Sequence, residues 1–189
     1  MDLMSEANFF KVFLGLETPN LESLKECDKM QNTKTDLRKS VKIIHNHGMQ
    51  VMAGFIVGFD NYPINIAKLQ IKFIQEIGVG TAMVGMLNAL PGTRLWERLK
   101  RENRLVDESS GENTDGSINF LPKMGKEKLI IEWKTIISTI YNPKEYFERV
   151  WKGLLDYNKT VKSKITCVDL KAFLRSLVKI GVFSKSRKY

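Results

Sequence analysis

The sequence predicts an α/β fold of three parallel strand-helix units, followed by an all-helical extension. Two observations carry this. Three short apolar runs, dense in branched and aromatic residues, alternate with stretches whose apolar residues recur at helical spacing, and strand-helix-strand order implies right-handed crossovers and parallel pairing. Near residue 105 the alternation stops, and only helical patterns follow.

The first run is Phe9 to Glu17, FFKVFLGLE, a buried strand ended by Thr18-Pro19-Asn20. Leu21, Leu24, Met30, Leu37, Val41 and Ile44 then fall on two helical stretches, the second opening at Thr35 or Asp36 as N-cap and closing at Gly48. The second run, Gln50 to Phe59, is apolar almost without interruption, as suits a parallel strand covered on both faces. Asp60-Asn61-Tyr62-Pro63 starts a helix lined by Ile64, Leu69, Ile71, Phe73, Ile74 and Ile77 that ends at Gly78, and the third run is Thr81 to Ala89. After Leu90-Pro91-Gly92-Thr93, a short amphipathic helix carries Leu95, Trp96 and Leu99 to about Asn103. Residues 107 to 122, rich in Asp, Glu, Ser, Gly and Asn, read as a loop or surface excursion. Helices are expected near 125 to 141, 143 to 157 and 166 to 180. The chain is thus expected to divide into residues 1–105, the strand-helix part, and 106–189, the helical extension.

Three parallel strands leave two outer rows of unpaired backbone groups and too few covering helices, so this is expected to be an incomplete piece of a larger fold. The first strand begins nine residues from Met1, and Met1 to Ala7 reads as the end of a preceding helix whose own strand is missing.

The chain of 189 residues is 43% hydrophobic, enough for a core, and disorder is not the default. It has no apolar run near 20 residues and no basic-then-apolar leader pattern at its start, so the expected location is cytoplasmic. The net charge is +9, but residues 159–189 hold nine Lys or Arg against Asp169 alone; the body is nearly neutral. In that tail Ile165, Leu170, Phe173, Leu174, Leu177 and Val178 share a helical face while Lys162, Lys164, Lys171, Arg175 and Lys179 occupy others. Such a helix can lie peripherally on an anionic membrane or, the favoured reading, dock on a partner with its lysines solvated; specific nucleic-acid binding is not expected. Cys27 and Cys167 lack CxxC spacing and His companions, and read as inert, partly buried thiols. His45 and His47 sit at a helix end, where cations suit the dipole better than two lone imidazoles suit a metal. Trp96, Trp133 and Trp151 read as core or groove packing.

In α/β sheets ligands sit at the carboxyl ends of strands, which makes three segments candidates: Gly15 to Thr18, Gly54 to Asp60 and Leu87 to Thr93. Glu17 directly follows a buried run, where a carboxylate needs a ligand or basic partner; it can equally face the loop and cap the next helix. Gly54 and Gly58 flank Ile56 and remove side chains from a strand, either to admit something planar or to form a bulge.

At these residues the sequence resembles radical S-adenosylmethionine enzymes, specifically the cobalamin-binding subgroup with a helical C-terminal extension of unknown role. VFLGLETPN, GFIVGFD and LNALPGTRLWERLK, then NTDGSINFLPKM and IYNPKEYFERV, occur in order at family-like spacing and cover most of the chain. The resemblance implies the second half, strands four to six, of a six-stranded TIM-like barrel. Glu17, beside Gly15, then matches the fourth-strand acid near the ribose or methionine end of S-adenosylmethionine; Gly54, Ile56 and Gly58 match the G-x-I-x-G strand along the adenine; and Leu87 to Ala89, with Asn88, match sixth-strand backbone beside the ring. Asn61 departs from the pattern, which has an acid there.

The family's chemistry begins on a 4Fe-4S cluster held by CxxxCxxC, which this chain lacks, so no catalytic or metal-ligating residue is expected in it. The implied function is a fragment of a radical S-adenosylmethionine enzyme, with cobalamin-linked methyl transfer or related radical chemistry, a missing N-terminal cobalamin-binding domain, and a missing barrel half or partner chain; a lipid-like substrate is conceivable by analogy. Alone, the chain is expected to be inactive. The rival reading is a non-catalytic binding or assembly module attached by its basic tail to a membrane or partner.

Overall fold

The computed structural model describes residues 1–107, 116–158 and 166–183. Strands β1 (Lys11–Glu17), β2 (Gln50–Val57) and β3 (Thr81–Met86) form one open parallel sheet in that order. Helix α1 (Asp2–Glu6) precedes β1; α2 (Leu21–Glu26), a 3₁₀ turn (Met30–Thr33) and α3 (Leu37–Asn46) link β1 to β2; α4 (Ile66–Ile77) links β2 to β3. Helices α5 (Arg94–Arg101), α6 (Lys126–Ile140), α7 (Pro143–Leu155) and α8 (Cys167–Val178) follow, the last running into a π-helical turn at Lys179–Phe183. Three parallel strands alternating with helices and then helices alone is the expected fold class.

Local chemistry fixes the boundaries. Asn20, Asp36, Thr93 and Asn142 each accept a hydrogen bond from a backbone N–H in the first turn of α2, α3, α5 and α7, and Thr166 with Asp169 closes a capping box on α8. Gly78, at φ 70°, ends α4 in the left-handed conformation.

Alternation along the strands separates two faces of the sheet. Leu16, Val51, Ala53, Phe55, Val57, Ala82, Val84 and Met86 are buried against the helices, in one core with Val41 and Ile44 of α3 and Phe73, Ile74 and Ile77 of α4. That core runs on without a break into Phe120 and into Leu129, Ile136 and Ile140 of α6. The other face, carrying Phe13, Gly15, Met52, Gly54, Ile56, Met83 and Gly85, is covered by none of the described helices: Phe13 is 59% exposed.

The outer edges also differ. Gln50 N–H donates to the Phe10 carbonyl, so the peptide groups of Val12 and Leu14 also face β2 while those of Lys11, Phe13 and Gly15 face outward. On β3, Leu87 N–H donates to Val57, which turns Ala82 and Val84 outward. There, Ala82 N–H donates to the Tyr141 hydroxyl, which donates to the Ala82 carbonyl at 3.0 Å, and Trp133 Nε1–H donates to the Val84 carbonyl at 2.8 Å. Helix α6 thus finishes the β3 edge with side chains.

Helix α7 crosses the amino-terminal end of the sheet. A Cβ at Gly153 would stand 2.2 Å from the Gly78 carbonyl oxygen, so only two glycines permit this approach. Arg149 fastens the crossing: 1% exposed, it donates to the carbonyls of Val79 and Ile140 and to Gln75 Oε1.

Several expectations need adjustment. All three strands are shorter than their apolar runs: β1 begins at Lys11 rather than Phe9, β2 ends at Val57 rather than Phe59, and β3 ends at Met86 rather than Ala89. In the loop expected at 107–122, Leu105 bridges Phe120 antiparallel; residues 108–115 lie outside the described residues. His45 is not a charged dipole partner: it is 5% exposed, and burial pushes its pKa down. His47 does sit at the helix end, where Nδ1 meets the Ile43 carbonyl and Nε2 meets Asp2 at 3.0 Å. Cys27 is half-buried with its pKa raised by burial, then by Glu17, whereas Cys167 is exposed. Trp151 is exposed against Phe147 rather than in a core. Every residue of α8 described is exposed; residues 159–165 and 184–189 of the basic tail lie outside the described residues.

Candidate functional site

The uncovered sheet face holds a hollow of about 200 Å³, lined by Phe13, Gly15 and Glu17 of β1, Gly54 and Ile56 of β2, and Met83 and Gly85 of β3. Register explains the grouping: Gly15 pairs with Gly54, Gly54 with Met83, and Ile56 with Gly85. The missing side chains make the space. A Cβ at Gly54 would stand 3.0 Å from the Phe13 ring, and one at Gly15 would stand 2.6 Å from Glu17 Oε1.

Glu17 takes its place through unusual backbone. The ladder slips between Gly15 and Glu17, Glu17 has φ 61°, and Thr18 N–H donates to the Leu16 carbonyl at 2.8 Å, closing a three-residue γ-turn centred on Glu17. A positive φ at the centre of a γ-turn is rare and strained, and for glutamate costs roughly 1–3 kcal/mol. The surroundings hold it: buried Gln70 donates to the Glu17 carbonyl at 3.2 Å, Asn32 donates to the Gly15 and Leu16 carbonyls, and Lys29 Nζ lies 3.1 Å from Glu17 Oε1. Strained backbone under a carboxylate at a strand end makes Glu17 a candidate functional residue.

Behind the hollow, the loop after β2 is clamped. Tyr62 donates its hydroxyl to the Ile56 carbonyl, and burial pushes its pKa far up. Asp60, its side chain 3% exposed, takes a two-pronged bond from Arg104 at 2.6 and 2.7 Å and a third from Arg98, which also pairs with Glu26 at 2.7 Å. Burial opposes ionisation of Asp60, but the hydrogen bonds and charge of Arg104, with help from Arg98 and Lys123, outweigh it and hold the carboxyl below its ordinary range. Glu26 also accepts from the Asn61 amide, so α2, the β2 loop and α5 form one polar unit.

Of the six sequence candidates, Gly15, Glu17, Gly54 and Ile56 meet in the hollow. Gly58, at φ 111°, lies outside its lining; a Cβ there would point to Leu129 of α6. Asn88 also lies outside it, its side chain accepting from Asn119 N–H at 3.2 Å and donating to the Ser117 carbonyl. Sequence reasoning missed Phe13, Met83, Gly85, Lys29 and the Asp60–Arg98–Arg104 cluster. Gly85 carries the same signal as Gly54, a glycine inside a strand. For Lys29 no periodicity applies, since it lies between two short helices.

No group of three or more His, Cys, Asp or Glu among the described residues could hold a metal. With two cysteines in the whole chain and no CxxxCxxC, these residues do not fit an iron-sulfur cluster. No helix among the described residues is long and apolar enough to cross a membrane.

A family model described as a domain of unknown function, DUF4070, matches residues 93–189. The chain belongs to the DUF4070 family. Along 99% of its length it is 40% identical to an uncharacterized methyltransferase of Synechocystis sp., and along 79% it is 31% identical to a hopanoid C-2 methylase of Rhodopseudomonas palustris. A bacteriochlorophyllide d C-12(1)-methyltransferase of Chlorobaculum tepidum is 25% identical along 72% of the chain. These alignments take up 36%, 27% and 30% of the respective relatives, so this DUF4070 chain spans about a third of their length. It is homologous, over that part, to cobalamin-dependent radical S-adenosylmethionine methyltransferases, a class that uses S-adenosylmethionine, a 4Fe-4S cluster and cobalamin. The DUF4070 match begins at Thr93, the N-cap of α5, and includes α6 and α7, whose residues finish the β3 edge and cross the sheet end.

Proposed function

We propose that this chain is the S-adenosylmethionine-cradling part of a radical S-adenosylmethionine methyltransferase. The supporting observation is the glycine-floored hollow that ends at a strained, lysine-paired glutamate. Gly15 and Gly54 clear room for a flat ring, Phe13, Ile56 and Met83 exclude water from its faces, and Glu17 accepts hydrogen bonds from ribose hydroxyls or the methionine ammonium as Lys29 yields. Bound S-adenosylmethionine supplies the methyl group and, on one-electron reduction, radical chemistry. The reductant's cluster and the cobalamin would be held by residues other than these, so the chain positions the cofactor and does not itself start the reaction. Gly58 and Asn88 act from behind the site, as backbone that shapes its rim.

The test is calorimetric titration of the chain with S-adenosylmethionine. Gly54→Val should abolish detectable binding by filling the floor, and Glu17→Gln should weaken it about tenfold, the loss of one charge-assisted contact. Binding unaffected by Gly54→Val would sink the proposal. After anaerobic treatment with iron and sulfide the chain should show no cluster absorption and no cofactor cleavage.

A second reading has one observation in its favour: Phe173, Leu174 and Leu177 of α8 are all more than half exposed, beside Lys171 and Arg175. On that reading the tail attaches the chain to an anionic membrane or to a partner protein. Co-sedimentation with anionic vesicles, lost when Lys171, Arg175 and Lys179 are changed to Gln, supports the membrane version; sedimentation insensitive to those changes excludes it.

A further inference from the structure

At the opposite end of the strands from Glu17 lies a second cavity, of about 210 Å³, closed on one side by α7. Six polar side chains line it: Lys11, Gln50 and Thr81, at the starts of the three strands; His45 of α3; Tyr146 of α7; and Tyr157 just beyond it. Tyr157 is committed, donating to the Gly48 carbonyl at 2.7 Å. No Asp or Glu among the described residues lines the cavity.

The charge around it is one-sided. Lys11 enters no ion pair among the described residues, although every strand neighbour on its face is neutral. Behind the wall formed by Tyr146, the buried Arg149 guanidinium lies 5.3 Å from the ring centroid; its Nη2 has no partner, and none of its three acceptors is a carboxylate. The charge of Glu145 favours the guanidinium, but Glu145 does not bond it: its Oε2 accepts from Gln75 at 3.0 Å. The acid that acts on His45, Asp156, is held by Lys42 at 2.7 Å. A buried cation with no carboxylate bonded to it is costly, and an oxyanion in the adjoining cavity would offset that cost while accepting from Lys11, Thr81 and Tyr146.

We propose that this cavity binds the anionic group, a carboxylate or a phosphate, of a small ligand, with the sheet and the DUF4070 helix α7 each supplying one wall. The site is independent of the cofactor hollow: it shares no lining residue with it and stands or falls without it. It gives this part of the extension a ligand-binding role in addition to packing.

The chain has only two histidines, which makes the test direct. Imidazole carbon-proton spectra of the full chain are followed during titration with inorganic phosphate and, separately, with acetate, at ionic strength held constant with chloride. The expected result is a saturable shift of the His45 signals by at least one of the two anions, with those of His47, on the surface beside Asp2, unmoved. Lys11→Met, at an exposed position whose loss leaves the backbone amide spectrum intact, should weaken that response about tenfold, one charge-assisted hydrogen bond. Saturation by phosphate alone assigns the ligand a phosphate, and by acetate alone a carboxylate. The proposal is overturned if neither anion saturates, if chloride reproduces the shift, or if Lys11→Met leaves the response unchanged. Calorimetry with S-adenosylmethionine on Lys11→Met separates this outcome from failure of the hollow, because cofactor binding should be unaltered.

Discussion

The two outer edges of this sheet are built from equivalent backbone and treated in opposite ways. At β3, Tyr141 and Trp133 take the outward peptide groups of Ala82 and Val84, while at β1 the strand exposes Phe13 and, of its outward peptide groups, the Gly15 carbonyl at the carboxyl end accepts from Asn32. Unpaired strand edges recruit further strands, so sealing one leaves the sheet able to grow only past β1. The extension therefore works as an edge finish, and side-chain groups suffice where a fourth strand would otherwise be needed.

The largest expected effect falls on the fastening of the sealed edge. Arg149→Ala strands the carbonyls of Val79 and Ile140 together with Gln75; with hydrogen bonds to charged donors worth roughly 1.5–3 kcal/mol each, it should destabilise by about 3–5 kcal/mol in urea unfolding. A loss below about 1 kcal/mol would mean α7 is not held to the sheet through this residue.

Next comes the clamp between the edges. Asp60→Asn should cost about 2–3 kcal/mol at neutral pH by leaving Arg104 and Arg98 under-paired. The native carboxyl titrates below its unfolded value, so its contribution is complete above the ordinary aspartate range near pH 4 and is lost as pH falls through the lowered native value. Wild type and variant should thus converge in stability on acidification. His45 adds a second acid-side loss: its native pKa is lowered, so stability declines as pH drops below the ordinary histidine value near 6.5, and His45→Gln should flatten that limb.

Tyr141→Phe, which removes one hydroxyl serving both peptide groups of Ala82, should cost about 1–3 kcal/mol and accelerate hydrogen exchange at Ala82. The smallest effect belongs to the open edge. Phe13→Ala should change stability by no more than about 0.5 kcal/mol, because the ring is already solvated, while weakening the proposed binding of S-adenosylmethionine in the hollow. If Phe13→Ala proved as damaging as Tyr141→Phe, the two edges would not differ as described.

Much of this architecture was legible in the sequence. Three apolar runs gave three parallel strands, and Asp36, Thr93 and Gly78 marked helix ends by chemistry that acts within a few residues. Gly54 and Glu17 stood out as a glycine and an acid where a strand would rather have neither. What stayed hidden involves long separations: Lys29 against Glu17 depends on how two short helices turn, and Arg104 against Asp60 or Tyr141 against Ala82 on packing across more than forty residues. His45 misled because proximity to a helix end says nothing about what later covers it; α7, over a hundred residues on, does so. The apolar residues of the helical extension join the core under β3, which no local pattern signals.

Gly78 terminates α4, begins the turn into β3, and receives Gly153 of α7 against its own carbonyl. Three elements thus meet at one contact so close that a single added methyl group on Gly153 would collide with the Gly78 carbonyl. Opening there has to be concerted: α7 cannot lift away without loosening the end of α4 and the entry to β3. In native-state hydrogen exchange, amides of these three segments should open as one cooperative unit, across the point where the strand-helix pattern gives way to helices.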